Sequence, residues 1–270
     1  MTTTTFNDLF SIKGKVALVT GGSRGIGEMI AAGFLANGAK VYISSRKVAA
    51  CDDTAKKLSE TYGGECISLP ADLSQMEGVE SLAKRLAERE TRLDILVNNA
   101  GVSWGADLDA FPEIGWDKVF DTNVKGVFFL TQKLLPQLRA AASADSPARV
   151  INIGSIDGLK TAAFDTYSYG ASKAALHHMT RFMAAHLTKN HIIFNAIAPG
   201  PFPTWMLSTG VGGKGDVANT DWDRVGRGNP SGRVGTAEDI AGLAIFLSSR
   251  AGQYVVGQTI ACDGGSVAAS

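Results

Sequence analysis

Val16-Ala-Leu-Val-Thr-Gly-Gly-Ser-Arg-Gly-Ile-Gly27 is the stretch that decides the fold. Its first five residues form a short apolar run of the kind that a buried strand requires, and a glycine cluster follows at once. From Ile26 to about Asn37 the pattern turns helical, and Asn37-Gly38 stops it. A glycine turn between a strand and a helix allows close backbone approach. The helix N-terminus then presents free N–H groups to a pyrophosphate.

The same alternation continues downstream. Lys40–Ser44, Cys66–Leu69, Leu93–Val97, Arg149–Ile153, His191–Ile197 and Thr259–Cys262 read as strands. Val48–Thr61, Val79–Glu90, the Tyr169 region to about Thr188, and Ala237–Ser248 read as helices. Two further helical stretches are expected on either side of Val127-Phe-Phe-Leu130. Alternation of this kind implies an α/β fold, a doubly wound parallel sheet of about seven strands with helices on both faces. Residues 1–14 read as a polar arm and 15–270 as one Rossmann-type domain. The Gly- and Pro-rich stretch at about 201–232 reads as a substrate lid.

Composition excludes several classes. Lysine plus arginine and aspartate plus glutamate are equal at 26 each, so no net field draws the chain to nucleic acid or anionic lipid. Three cysteines show no metal-ligand spacing and read as reduced thiols, which, with no leader pattern at the start, suggests a cytoplasmic protein. No apolar run is long enough for a bilayer, and no metal site is expected.

Cofactor type is argued from the end of the second strand. An acidic residue there would hold the ribose 2′-hydroxyl of NAD, whereas this chain has Ser44-Ser45-Arg46, with Arg24 inside the glycine turn. Two guanidinium groups suit a 2′-phosphate, so the expected cofactor is NADP(H). Gly21, Ser23, Arg24, Gly25, Ile26, Gly27, Ser45 and Arg46 are the residues expected to hold it.

Tyr169 and Lys173 lie four residues apart, on one face if helical. A nearby ammonium favours a phenolate, so Lys173 is expected to lower the Tyr169 pKa toward the range useful in general acid–base chemistry. Ser155, just after a predicted strand, offers a hydroxyl to the same reacting atom. Tyr167 is a rival, but only Tyr169 has a lysine four positions later.

These motifs agree in order and spacing, and over nearly its whole length the chain resembles the short-chain dehydrogenase/reductase superfamily, within it the 3-oxoacyl reductase branch. The matching segments are Thr20-Gly-x-x-x-Gly-Ile-Gly27, Asp72-Leu73, Asn98-Asn-Ala-Gly101, Asn123, Ser155 and Tyr169-x-x-x-Lys173. Asn195-Ala-Ile-Ala-Pro-Gly200, Thr204, Gly232-Arg-Val-Gly235 and Asp263-Gly-Gly265 complete the set. The resemblance implies a catalytic set of Asn123, Ser155, Tyr169 and Lys173, with Asn123 positioning a relay water and Lys173 also holding the nicotinamide ribose. It adds Asp72, Leu73, Asn99, Ala100 and Gly101 on the adenosine side, and Pro199, Gly200 and Thr204 on the nicotinamide side. It also implies a homotetramer or homodimer. One departure is that Ser155 and Tyr169 stand one residue further apart than the family pattern, so the loop between them must bulge.

The expected reaction is hydride transfer from NADPH to a ketone, with Tyr169 protonating the oxygen. Trp104, Phe164, Phe202, Trp205 and Met206 suggest an apolar pocket for a small-molecule ketone or acyl thioester, such as a 3-oxoacyl ester or a bulky aryl ketone. Two other readings compete: an NAD(P)-linked secondary-alcohol dehydrogenase, and a catalytically silent dinucleotide-binding sensor.

Overall fold

The computed structural model describes residues 6–270. Seven strands form one parallel sheet in the order β3-β2-β1-β4-β5-β6-β7. They are β1 (Val16–Thr20), β2 (Lys40–Ser44), β3 (Cys66–Ser68), β4 (Ile95–Asn98), β5 (Ala148–Ile153), β6 (Ile192–Pro199) and β7 (Thr259–Cys262). β1 pairs with β2 on one side and with β4 on the other, so the strand order reverses between β1 and β4. This Rossmann-type arrangement opens a crevice beyond the carboxyl ends of those two strands.

Every residue of β1, β4, β5 and β6 is buried, as a strand covered on both faces requires. Alternate residues feed two cores. Ala17 and Val19 pack with Ile30 and Phe34 of α1 (Gly25–Ala36), Leu58 of α2 (Val48–Tyr62) and Leu247 of α9 (Ala237–Ser248). Val16 and Leu18 face Leu82 and Leu86 of α3 (Met76–Ala87), with Leu130, Leu134 and Leu138 of α5 (Gly126–Ala141). The free thiols of Cys51 and Cys66 lie within the first core, where burial pushes the Cys66 thiol up to about 12. Among the described residues no His, Cys, Asp or Glu group could hold a metal ion. No described helix is long and apolar enough to cross a membrane.

The main correction concerns Val127-Phe-Phe-Leu130, which lies inside α5 rather than between two helices. α4 (Glu113–Phe120) runs into α5 through a π-turn at Asp121–Lys125, without a break. The β-branched and aromatic composition of that run mimics a strand. Leu130, Leu134 and Leu138, spaced by four, nevertheless bury one helical stripe. The β6 strand starts after His191, which takes a left-handed φ of 59°, and it extends to Pro199.

Residues 1–5 of the expected polar arm lie outside the described residues. Its remainder is anchored: Ile12 is buried, and the Ala251 N–H donates to the Leu9 carbonyl (2.9 Å). The 201–232 stretch carries two short helices, α7 (Trp205–Gly210) and α8 (Trp222–Arg227). A Ser208–Thr220 hydroxyl pair at 2.7 Å and a bond from Trp222 Nε1 to the Val217 carbonyl (2.8 Å) tie the stretch together.

Candidate active site and cofactor cradle

The glycine turn crosses from β1 to α1 at the switch point. Gly21 has a φ of +65°, and a Cβ on Gly27 would lie 2.3 Å from the Gly21 carbonyl oxygen, so both positions exclude a side chain. The turn is braced from β4. Thr20 Oγ1 accepts from the N–H groups of Asn99 (2.9 Å) and Ala100 (3.0 Å), and Asn99 Nδ2 donates to the carbonyls of Thr20 (2.8 Å) and Gly21 (3.2 Å). The Asn99 amide is therefore spent on shaping the turn rather than left open to a ligand. No side chain caps the N-terminus of α1. Its first N–H groups, facing a cradle that any Cβ would fill, fit a pyrophosphate.

Around the turn, the Thr54 hydroxyl donates to the Ser23 carbonyl (3.1 Å), docking the turn on α2. The Ala71 N–H donates to the Ser45 carbonyl (3.0 Å), and Arg46 is exposed. The Asp72 carboxylate accepts from the N–H (3.1 Å) and hydroxyl (2.8 Å) of Ser74. Leu73 is buried among the α3 and α5 side chains.

Ser155 follows β5 and caps a 3₁₀ turn, Ile156–Gly158, where its Oγ accepts from the Asp157 N–H (3.1 Å). With a lone pair so occupied, its own proton is free to point at a substrate oxygen. Tyr169 and Lys173 share a face of α6 (Tyr167–Leu187), with the ammonium 5.5 Å from the phenol ring centroid. Lys173 is buried, and its Nζ donates to the Ile153 carbonyl (2.7 Å), tying α6 to the end of β5. Gly101 lies beside it: a Cβ there would meet Nζ at an ordinary 3.5 Å and crowd Asn123 Oδ1 at 3.3 Å.

The electrostatics differ from expectation. Burial pushes the Tyr169 phenol up to about 12; Ser155 acts to lower it and Asp157 to raise it. Burial pushes the Lys173 ammonium the other way, down to about 8, against the pull of Asp157. Desolvation is the largest influence on both groups.

Tyr167 is no rival. It is exposed, its hydroxyl bonds Asp165 Oδ1 (3.0 Å) and its ring meets Phe111 edge-on. It lines a shallow apolar depression with Leu108, Phe111 and Trp116 that contains none of Ser155, Tyr169 and Lys173. Asn123 sits fully buried in the π-turn. Its Oδ1 accepts from the Val102 N–H (2.9 Å), and its Nδ2 donates to the Val102 carbonyl (2.9 Å) and to Ser172 Oγ (3.0 Å). Between β5 and α6 the chain swings outward, and the Ala106 N–H donates to the Asp165 carbonyl (3.1 Å).

The expected pocket residues divide. Phe202 is 2% exposed and nests on Gly235, so it belongs to the core and not to an open wall. Trp104 packs on Gly115 of α4 beneath Lys118. Trp205 has the Arg24 guanidinium carbon over its ring, 4.9 Å from the centroid, which brings this side chain to the glycine turn. Phe164 and Met206 remain exposed, and Phe164 lies beside Gly210 of α7. Pro199 is buried at the end of β6, and the Gly200 N–H donates to the Cys262 carbonyl (3.0 Å). Thr204 caps α7 through the Leu207 N–H (3.2 Å), and its methyl rests over Gly25.

Two site residues escaped the sequence reading. Asp157 lies in the Ser155 turn and is held above the usual carboxylate range by burial, against Lys160 and Lys173. His177, one turn after Lys173, fills the space above Gly154 and Gly158, where Cβ atoms would lie 1.9 Å and 2.8 Å from its ring. The spacing of four from Lys173 was the one available signal.

Comparison with known proteins agrees with this geometry. Residues 21–267 match the family described as enoyl-(acyl carrier protein) reductase. The chain is 50% identical over 256 residues to the rhamnolipids biosynthesis 3-oxoacyl-[acyl-carrier-protein] reductase of Pseudomonas aeruginosa, covering 95% of this chain and 97% of that one. It is 34% identical to the short-chain dehydrogenase/reductase PhomF of Diaporthe leptostromiformis, covering 96% and 94%. A solved Pseudomonas aeruginosa RhlG/NADP active-site complex superposes with a TM-score of 0.89 at 48% identity, covering 97% and 100%. The glycine cradle, the Ser155–Tyr169–Lys173 cluster and these likenesses place the chain in the short-chain dehydrogenase/reductase family.

Proposed function

We propose that this protein is an NADPH-dependent reductase of ketones, acting on 3-oxoacyl esters or thioesters or on comparably apolar ketones. The observation that carries the reading is the convergence of Ser155, Tyr169 and Lys173 at the carboxyl end of β5, with the phenol kept protonated. NADPH, when bound, supplies the hydride. The glycine turn and the uncapped α1 terminus would hold its pyrophosphate, and Arg24 with Arg46 its 2′-phosphate.

Tyr169 then donates its proton to the substrate oxygen. A phenol near 12 is fully protonated at neutral pH, yet it is several units more acidic than a hydroxylic product of about the acidity of water, roughly 15.7. Proton donation to the developing alkoxide is therefore downhill. Ser155 donates a hydrogen bond to the same oxygen as charge develops on it. Lys173, anchored on the Ile153 carbonyl, keeps two further N–H donors for the nicotinamide ribose. The Asn123 amide is committed to Val102 and Ser172, so a relay water would be held by its main-chain carbonyl, which a π-turn takes out of the regular helical ladder.

The substrate class rests on the exposed apolar side chains of Phe164 and Met206 beside α7, and on likeness to a 3-oxoacyl reductase. The 201–232 stretch would serve as the lid. Assembly as a homotetramer or homodimer is supported by exposed Phe128 of α5 and Phe182 of α6. NADPH oxidation against 3-oxoacyl thioesters, aryl ketones and polar keto sugars, each repeated with NADH, tests the reading. Tyr169→Phe should retain NADPH binding and lose at least two orders of magnitude in kcat. Near-normal turnover in that variant, or no turnover of any ketone by the native protein, would sink it.

A further inference from the structure

Arg24 of the glycine turn lies with its guanidinium carbon 4.9 Å from the ring centroid of Trp205, the first residue of α7. No ion pair or hydrogen bond engages that guanidinium among the described residues. The indole also packs closely on Gly215, where a Cβ would lie 2.2 Å from Nε1. It is held in sequence by Thr204, whose hydroxyl caps α7 and whose methyl rests on Gly25. The proposed lid thus touches the glycine turn at two successive residues.

We propose that Trp205 is a positioning residue for cofactor choice. By stacking on Arg24 it holds the guanidinium where its edge can meet the adenosine 2′-phosphate, so preference for NADPH over NADH depends on the lid. The inference rests on the assignment of Arg24 to the 2′-phosphate made above. Its physical basis is the shape of the group. A guanidinium is flat, so stacking occupies one face and leaves the in-plane N–H donors free for bidentate contact with phosphate oxygens. An unstacked arginine at an exposed turn must lose its rotamer freedom at the moment of binding, whereas a stacked one has already lost much of it. NADH, with a hydroxyl at that position, gains nothing from the ordered guanidinium. A cation–π contact at an exposed site corresponds to roughly a two- to fivefold change in affinity.

The test is calorimetric titration of the intact protein with NADP+ and with NAD+, for the native chain and for Trp205→Leu, Trp205→Phe and Arg24→Ala. Trp205→Leu should weaken NADP+ about two- to fivefold and leave NAD+ unchanged, and Trp205→Phe, which keeps a ring, should fall between. Arg24→Ala should lower the NADP+/NAD+ preference further and make it insensitive to a second change at Trp205. If Arg24→Ala lowers the preference but neither Trp205 variant does, the lid coupling is wrong and the Arg24 assignment stands. Equal weakening of both nucleotides by Trp205→Leu also overturns the coupling, since the indole would then serve closure in general. If Arg24→Ala leaves the preference intact, the Arg24 assignment fails and the proposal fails with it.

Discussion

His177 should make this protein sensitive to mild acid, and the size of the effect follows from its surroundings. The imidazole is 3% exposed, and neither ring nitrogen has a hydrogen-bond partner of good geometry. Burial first, then the charges of Lys173 and Arg181, push its pKa from 6.5 down to about 4, with the Gly158 main chain opposing. Between those two values the unfolded chain carries the proton and the folded chain does not, so stability falls as pH falls through that window. With those endpoints, lowering the pH from 7 to 5 removes roughly 2 kcal/mol through this residue alone. The assay is urea unfolding at both pH values for the native protein and for His177→Met. The thioether is unbranched, does not titrate, and abandons no hydrogen bond. The loss between pH 7 and 5 should shrink by about 2 kcal/mol in the variant. Equal losses in the two proteins would show that the ring is protonated or solvated in the folded state, and the reasoning from burial would fail.

Ser155→Ala should lower kcat by about two to three orders of magnitude by removing a donor to the developing oxyanion, with the NADPH dissociation constant unchanged. Loss of the cap on the Ile156–Gly158 turn should also cost about 1 kcal/mol in urea unfolding, and unaltered kcat would refute the donor role. Gly27→Ala would place a methyl 2.3 Å from the Gly21 carbonyl, and main chain cannot yield there without reshaping the cradle. About 1–3 kcal/mol of stability and at least tenfold in NADPH affinity should be lost, and native-like binding would show that the turn does not contact the cofactor.

Much of this molecule was legible from residue order. Lys40–Ser44, Ala237–Ser248 and Thr259–Cys262 begin and end in the structure where their local patterns place them, because strand and helix periods and capping residues act over a few neighbours. The glycine turn was legible for the same reason, since a tight connection between a strand and a helix needs glycine wherever it folds. Tyr169 was distinguishable from Tyr167 because lysine follows it by one helical turn, and the structure separates them as an inward and an outward tyrosine.

Local order could not tell how each side chain is used. Val127–Leu130 reads as a gap between two helices until the facing α3 surface makes one helical stripe worth burying. Asn99 and Asn123 look like ligand contacts, yet their amides close on the glycine turn and on Val102. Phe202 sinks onto Gly235, and Trp205 crosses to Arg24, because the return of the chain from β6 brings residues far apart in sequence together. Desolvation, too, is a property of what surrounds a group. A lysine four residues from a tyrosine suggests an acidified phenol, but burial raises that phenol to about 12 and lowers the lysine to about 8. Sequence alone therefore determined the sheet, the glycine cradle and which tyrosine shares a helical face with a lysine. The tertiary structure decided which face each side chain meets and how much water it keeps, and those set its chemistry.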